Sequence, residues 1–249
     1  MTNILESGDI YFLYRPRVEQ QHVEGLEEVQ RFFIVLSPHG KARYRLLVLG
    51  RKRLPGIGSR REKTWAFVQK VGRRPEEVEG ELEAATYETK TRGERHLAPA
   101  RPAGEGVYAL VRHDDHTHLA YALELPPKPG EVQEELEILP EASYIVTVKN
   151  PEQPSPPGVG LDEAQQAELP GRLEARFRGR RFVPVDPPEF LDQEGAELIL
   201  IGADEDVTEE LGIELDPQHE TVHTAEIFND LRMSRAEHPL RPLFRGEWE

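Results

Sequence analysis

Apolar and polar positions alternate in short bursts along the first 150 residues. IYFLYRP (10–16), RFFIVLS (31–37), YRLLVLG (44–50), TWAFVQKV (64–71), GVYALVRH (106–113), HTHLAYALEL (116–125) and SYIVTVKN (143–150) are rich in aromatic and β-branched residues. Gly, Pro, Asp and Asn punctuate them, as expected of strands joined by turns. Many short strands predict an antiparallel barrel or sandwich. One helix is expected among them, over PEEVEGELEAATYE (75–88), where Pro75 suits the first turn and the acids suit the helix dipole.

The pattern changes after residue 150. NPEQPSPPGVGLDE (150–163) holds four prolines and two glycines, which bar regular helix and interior strand. Beyond it, AELILIG (196–202) is an apolar run typical of a strand buried on both faces. DEDVTEELG predicts a short helix ended by Gly212. A second helix is expected from Asp216 as N-cap, with Pro217 at its first position, running through HETVHTAEIFNDLRM. The expected architecture is α+β: a β-rich antiparallel barrel or sandwich over residues 1–150, a Pro-rich linker over 151–161 and a smaller, acidic α/β domain over 162–249.

Within this pattern GVYALVRHDDHTHLAYALEL reads as a hairpin turning at Asp114-Asp115. A two- or four-residue loop sets Arg112 opposite Thr117, Leu110 opposite Leu119 and Tyr108 opposite Tyr121. These, with Leu123 and Leu125, make the core face. The other face carries Ala109, Val111, His118, Ala120, Ala122 and Glu124, with His113 opposite His116 at the tip. Three histidines on one face can hold Zn²⁺ or Fe²⁺ and leave a coordination position for water, which the metal acidifies. Asp115 or Glu124 would then serve as base or supporting partner. The plain alternative is a polar hairpin tip in water, and a three-residue loop would move His113 to the wrong face.

Composition narrows the chemistry. The chain has 249 residues, 37 % hydrophobic and 31 % charged, and no cysteine. Disulfides, thiolate zinc sites, iron–sulfur clusters and cysteine nucleophiles are thereby excluded. No apolar run approaches the roughly 20 residues that span a bilayer, and MTNILESGDIYF has no secretory pattern. A soluble, cytoplasmic protein without a membrane partner is expected. The net charge is −15, but residues 41–74 hold 12 of the 31 Lys and Arg against one acid, Glu62. This island, inside an otherwise acidic chain, attracts phosphate-bearing partners or pairs with the protein's own acids.

The island centres on LGRKRLPGIGSRREKTW (49–65), whose Arg51, Lys52, Arg53, Arg60, Arg61 and Lys63 can neutralise phosphates. Trp65 or Phe67 can stack on a base, although one of them is expected to pack inward. The glycines lack P-loop spacing. TKTRGERHLAPARPAGEGVY (89–108) reads as a long irregular stretch. There Arg92, Arg95, His96 and Arg101 offer donors to carboxylate or phosphate, or the stretch is a plain connection. HETVH (219–223) matches H-E-x-x-H, with Glu226 and Asp230 continuing the face. The extended zincin spacing fails, because Glu226 stands where Gly belongs and Asn229 where His belongs. The alternative is an amphipathic helix with Thr224, Ile227, Phe228 and Leu231 in the core. No GxSxG is present, and neither Ser59 nor Ser143 has an activating neighbour in sequence.

Several stretches together resemble a family of bacterial and plant proteins of unassigned function: GDIYFLYRPRVE (8–19), VQRFFIVL (29–36), GRKRLP (50–55), TRGERH (91–96), GEGVY (104–108), HTHLAYALELP (116–126) and VKNPE (148–152). The resemblance implies that the N-terminal region is a recurrent domain and carries no residue roles. Three functions follow as expectations. The first is a binding module for a phosphate-bearing small molecule or nucleic acid, held by Arg51, Lys52, Arg53, Arg60, Arg61, Arg92, Arg95 and Arg101. The second is a metal-dependent hydrolase using zinc or iron on His113, His116 and His118. The third is an interaction or structural protein with neither site, in which the acidic C-terminal part covers the basic loop.

Overall fold

A computed structural model describes residues 2–58, 62–89, 93–156, 158–218, 220–221, 223–236 and 238–249. The strands are β1 (Thr2–Pro16), β2 (Val29–Pro38), β3 (Tyr44–Leu49), β4 (Thr64–Gly72), β5 (Ala85–Thr89), β6 (Gly93–Leu97), β7 (Arg101–His113), β8 (His116–Leu125), β9 (Glu141–Lys149), β10 (Phe182–Pro184) and β11 (Glu197–Gly202). Short helices punctuate them: α1 (Glu76–Glu79), α2 (Glu131–Leu136), α3 (Gly171–Phe177), α4 (Val207–Leu211), α5 (Ile227–Asp230) and α6 (Arg241–Arg245). None of these helices is long and apolar enough to cross a membrane.

All seven runs expected as strands form strands, and an eighth closes them into an antiparallel barrel in the order β1-β7-β8-β9-β11-β4-β3-β2. The eighth is β11, from beyond the Pro-rich linker. Leu198 pairs with Val148 of β9 on one side and with Ala66 of β4 on the other. The expected C-terminal α/β unit therefore has no sheet of its own, and the linker does not separate two sheets. Leu198 and Leu200 point into the barrel core while Ile199 faces outward under cover, which explains the doubly buried look of AELILIG. β8 uses residues 141–145 of β9, and β10 continues the same edge at residues 147–149.

Side chains fill the barrel, as expected at eight strands. Phe12 stacks on Phe32 with centroids 6.3 Å apart and meets Tyr121 edge-on at 5.0 Å, and Tyr121 stacks on Tyr144. Each such ring buries apolar area worth about 1.5–3 kcal/mol. One polar network shares this interior. Glu6 accepts from both terminal nitrogens of Arg45 (2.5 and 3.2 Å) and from the hydroxyl of Tyr108 (2.9 Å). Lys41 donates to Glu6 at 2.9 Å, and Arg45 Nε donates to Asp192 at 2.8 Å. Burial pushes the Glu6 carboxyl up, but the Arg45 guanidinium outweighs it, and the group sits below its ordinary value.

The outer wall is partly roofed. Tyr11, Leu13, Phe33, Val35 and Leu46 pack against Ile227, Phe228 and Leu231 of the C-terminal segment. Ala109, Val111 and Ala120 pack against Val207 and Leu211 of α4. Leu125, expected in the barrel core, belongs to the outer cluster. Two expected helices are much shorter than their patterns. The 75–88 helix ends after Glu79 at Gly80, and its remainder turns into β5. The helix expected from Asp216 is reduced to Ile227–Asp230. The stretch 89–108, read as irregular, holds β6 and the start of β7, with Arg101 on the strand.

Candidate functional site

The β7–β8 hairpin has the expected register. His113 pairs with His116 across a two-residue loop, Arg112 with Thr117, Leu110 with Leu119 and Tyr108 with Tyr121. Asp114 takes a left-handed φ of 53°, a conformation Asp tolerates. The strand period then puts His113, His116 and His118 on the outer face together. They edge a cleft of about 620 Å³, which Asp204 and Glu210 also line.

The three imidazoles differ in setting. His116 is half-exposed and 3.4 Å from Asp115; His113 is one-third exposed. His118 is buried, 4 % exposed, and its Nδ1 has no hydrogen-bond partner. The nearest acid oxygen to that nitrogen, Glu210 Oε2, is 3.7 Å away, beyond hydrogen-bond range. Burial, then the charges of His113 and His116, lower the His118 pKa to about 4. The ring is therefore neutral at pH 7, the state in which imidazole binds a metal.

The sequence did not point to Glu210 or Asp204. Asp206 caps α4 by accepting the Glu209 N–H at 2.7 Å, and Gly212 ends the helix at φ 65°, as its pattern predicts. What the pattern cannot show is that α4 lies on Ala109, Val111 and Ala120, two residues from His118 along β8. Glu210 also accepts from the Ser143 hydroxyl. Ser143 is wholly buried and donates to a carboxylate rather than to an imidazole, so these residues do not form a nucleophilic triad.

The histidines are not a finished metal cage. His113 and His118 have ring centroids 6.0 Å apart. Two imidazoles on one tetrahedral metal stand about 5.2 Å apart, from nitrogen–metal bonds of about 2.0–2.1 Å plus the ring radius, so binding would draw these two rings closer. Among the described residues, the group that brings three ligand atoms within 4.8 Å of one another is Asp9, Glu226 and Asp230 instead. His118 is held by burial, whereas His113 and His116 stand at the hairpin tip, where rotamers exchange readily. Glu124, expected beside the histidines, lies six residues along β8, roughly 20 Å away at 3.3 Å per residue.

Glu124 belongs to the acidic face beneath the C-terminal segment. It accepts the Gln218 N–H at 2.5 Å, and Glu105 accepts those of Glu226 (2.6 Å) and Ile227 (3.2 Å). Tyr11 donates to Asp230 at 2.7 Å. Burial raises Glu105 to about 8 and Glu124 to about 7; the backbone donors oppose the rise, while neighbouring carboxylates, Glu220 among them, add to it. Among the described residues, Gln218, Glu220, Thr221 and the stretch 223–226 are not helical, and α5 starts only at Ile227. His219 lies outside the described residues, as do Arg60, Arg61 and Arg92.

The other basic candidates are occupied. Arg51 pairs with Glu62, Arg53 with Glu137 at 3.4 Å, and Lys52 donates to the carbonyls of Leu26 and Glu27. Arg95 is 3.8 Å from Glu19, and buried Arg101 pairs with Glu249 and donates to the Gln21 carbonyl. Elsewhere in the island Arg43, Arg45, Lys70 and Arg74 also have acid partners. The described part of the island is thus largely paired with the protein's own acids. Comparison of the chain with protein-family models, curated proteins and solved structures gives no match.

Proposed function

We propose that the cleft at the hairpin tip binds a divalent transition metal, zinc or iron, through His118 with His113 and His116, and that it serves metal-assisted hydrolysis. The observation that carries this reading is His118: a buried, neutral imidazole whose Nδ1 has no partner and which edges an open cleft with two more imidazoles and four acids. Leaving a buried polar atom unpaired costs about 1–3 kcal/mol, which a ligand recovers. Three nitrogen ligands leave a position for a water that the metal would acidify toward pH 7. Glu210, 3.7 Å from that same Nδ1 of His118, would take a proton from the water.

The test is elemental analysis of tag-free protein, wild type and His118→Ala, followed by a screen of ester and phosphoester substrates with the metal added back. About one equivalent of metal in the wild type and little in the variant supports the site, and turnover that needs both metal and Glu210 supports hydrolysis. No metal in the wild type after incubation with Zn²⁺ and Fe²⁺ removes the reading.

A further inference from the structure

A second surface on the barrel wall carries aromatic rings and cations together. Trp65 and Phe67 are two apart on β4, so both face outward, contrary to the expectation that one packs inward. They stack with centroids 6.4 Å apart at 18°. Phe182 of β10 meets Trp65 edge-on at 6.2 Å, and the Arg181 guanidinium lies over Phe182 at 5.7 Å. All three rings are half-buried, presenting part of each ring to solvent. Below Phe67 a cleft of about 490 Å³ is lined also by Arg31, Gly50, Gln69 and Gln165.

The charge around the rings is locally positive. Three acids of the neighbouring segments are paired: Glu62 with Arg51, Glu194 with Lys70 and Glu197, opposite Phe67, with Lys149. Exposed Lys63 stands two residues before Trp65, at the entry to β4. Arg180 and Arg181 donate to backbone carbonyls, and among the described residues neither forms an ion pair with an acid. Charges farther than about 10 Å are screened at 0.1 M salt, so this local balance outweighs the net −15 of the chain.

We propose that the face around Trp65, Phe67 and Phe182 binds single-stranded nucleic acid, with bases stacked on the rings and backbone phosphates on Lys63, Arg180 and Arg181. Rings exposed on a sheet surface accept any unpaired base, whereas duplex bases are already stacked. The face leads toward the histidine cleft. Trp65 pairs with Ile199, two residues from Ile201, which pairs with cleft-lining Ile145 beside His118. At strand spacings this path is roughly 15 Å long. The basic loop passes the same end, where Gly56 and Ile57 pack against cleft-lining Gly202. The proposal rests on rings and cations and stands without the metal.

The test is a fluorescence titration of the whole metal-free protein with oligo(dT) and oligo(U) at about 0.1 M salt. Of the two tryptophans Trp248 is 5 % exposed, so quenching reports on Trp65. The expected result is saturable quenching that weakens with salt and falls about tenfold in affinity in Phe182→Ala. Arg181→Glu, at an exposed position that leaves the core intact, is expected to weaken it as much, and His118→Ala to leave it unchanged. No quenching by either, equal quenching by duplex, or a signal that follows protein concentration alone and so marks self-association would overturn the proposal.

Discussion

Two buried polar sites sit on this barrel, and they are finished to different degrees. Inside, Glu6 and Arg45 are 7 % and 0 % exposed, and their charged groups meet each other, Tyr108, Lys41 and Asp192. Outside, His118 is as deeply buried, yet its Nδ1 has no partner and the Glu210 carboxylate stops short of it. A complete network has nothing left to offer a ligand, and its removal exposes an unpaired charge. An incomplete one beside an open cleft has a valence to spare. The difference teaches that burial alone does not single out a candidate site; an unsatisfied atom beside an open cleft does.

The largest effect expected from this contrast is on stability. Glu6→Ala leaves Arg45 charged in the core and should cost about 3–5 kcal/mol. At this chain size that is on the order of 10 °C in melting temperature. The same variant should hold metal as the wild type does, measured on whatever fraction folds at low temperature. An unchanged melting temperature would mean the inner network is no more structural than the outer one.

Next comes the cleft. Glu210→Gln is expected to lower metal affinity by about 10- to 100-fold, the usual cost of losing a group that supports a ligand, with little change in melting temperature. Competition with a chelator measures it. If the variant loses stability instead, Glu210 serves Ser143 and α4 rather than the metal.

The two regions of raised and lowered pKa should respond to pH in opposite senses. His118 is held near 4 against an ordinary 6.5, so the metal-free unfolded chain binds that proton more readily. Its contribution is full above 6.5 and is lost as pH falls toward 4. Glu105 and Glu124 are raised to about 8 and about 7 from an ordinary 4.5, so their contribution is full below 4.5 and is lost as pH rises through 7 to 8. Thermal melts across this range should show Glu105→Gln losing less stability than the wild type between pH 6 and 8.5. Parallel curves for the two proteins would contradict the assignment.

The smallest effect belongs to the basic loop. Arg53 and Glu137 are 44 % and 36 % exposed, so Arg53→Ala should change stability by less than about 0.5 kcal/mol. A larger loss would give the loop a structural role.

Local pattern made the hairpin legible. Alternation in GVYALVRH and HTHLAYALEL, with two aspartates between, determines the register and hence the shared face of the histidines. The α4 helix was legible through its acidic first turn and Gly212. What was hidden depends on partners far along the chain. Leu198 meets Ala66 and Val148, so the sheet crosses the Pro-rich linker that reads as a boundary. The helix expected after Asp216 fails because Glu124 and Glu105 on the barrel take the N–H groups of Gln218, Glu226 and Ile227. The basic island looked available because its acids lie elsewhere: Arg53 finds Glu137 and Lys70 finds Glu194.

The most direct measurement is a calorimetric titration of metal-free protein with Zn²⁺, wild type beside His118→Ala, with melting curves on both. The account predicts one equivalent bound by the wild type and at least about a hundredfold weaker binding by the variant. The melting curves establish that the variant is folded, because deleting a buried ring leaves a cavity costing about 2–5 kcal/mol, offset in part by removal of the unpaired nitrogen. Equal binding by both proteins, or no binding by the wild type, would contradict it and leave His118 a buried ring with no ligand to serve.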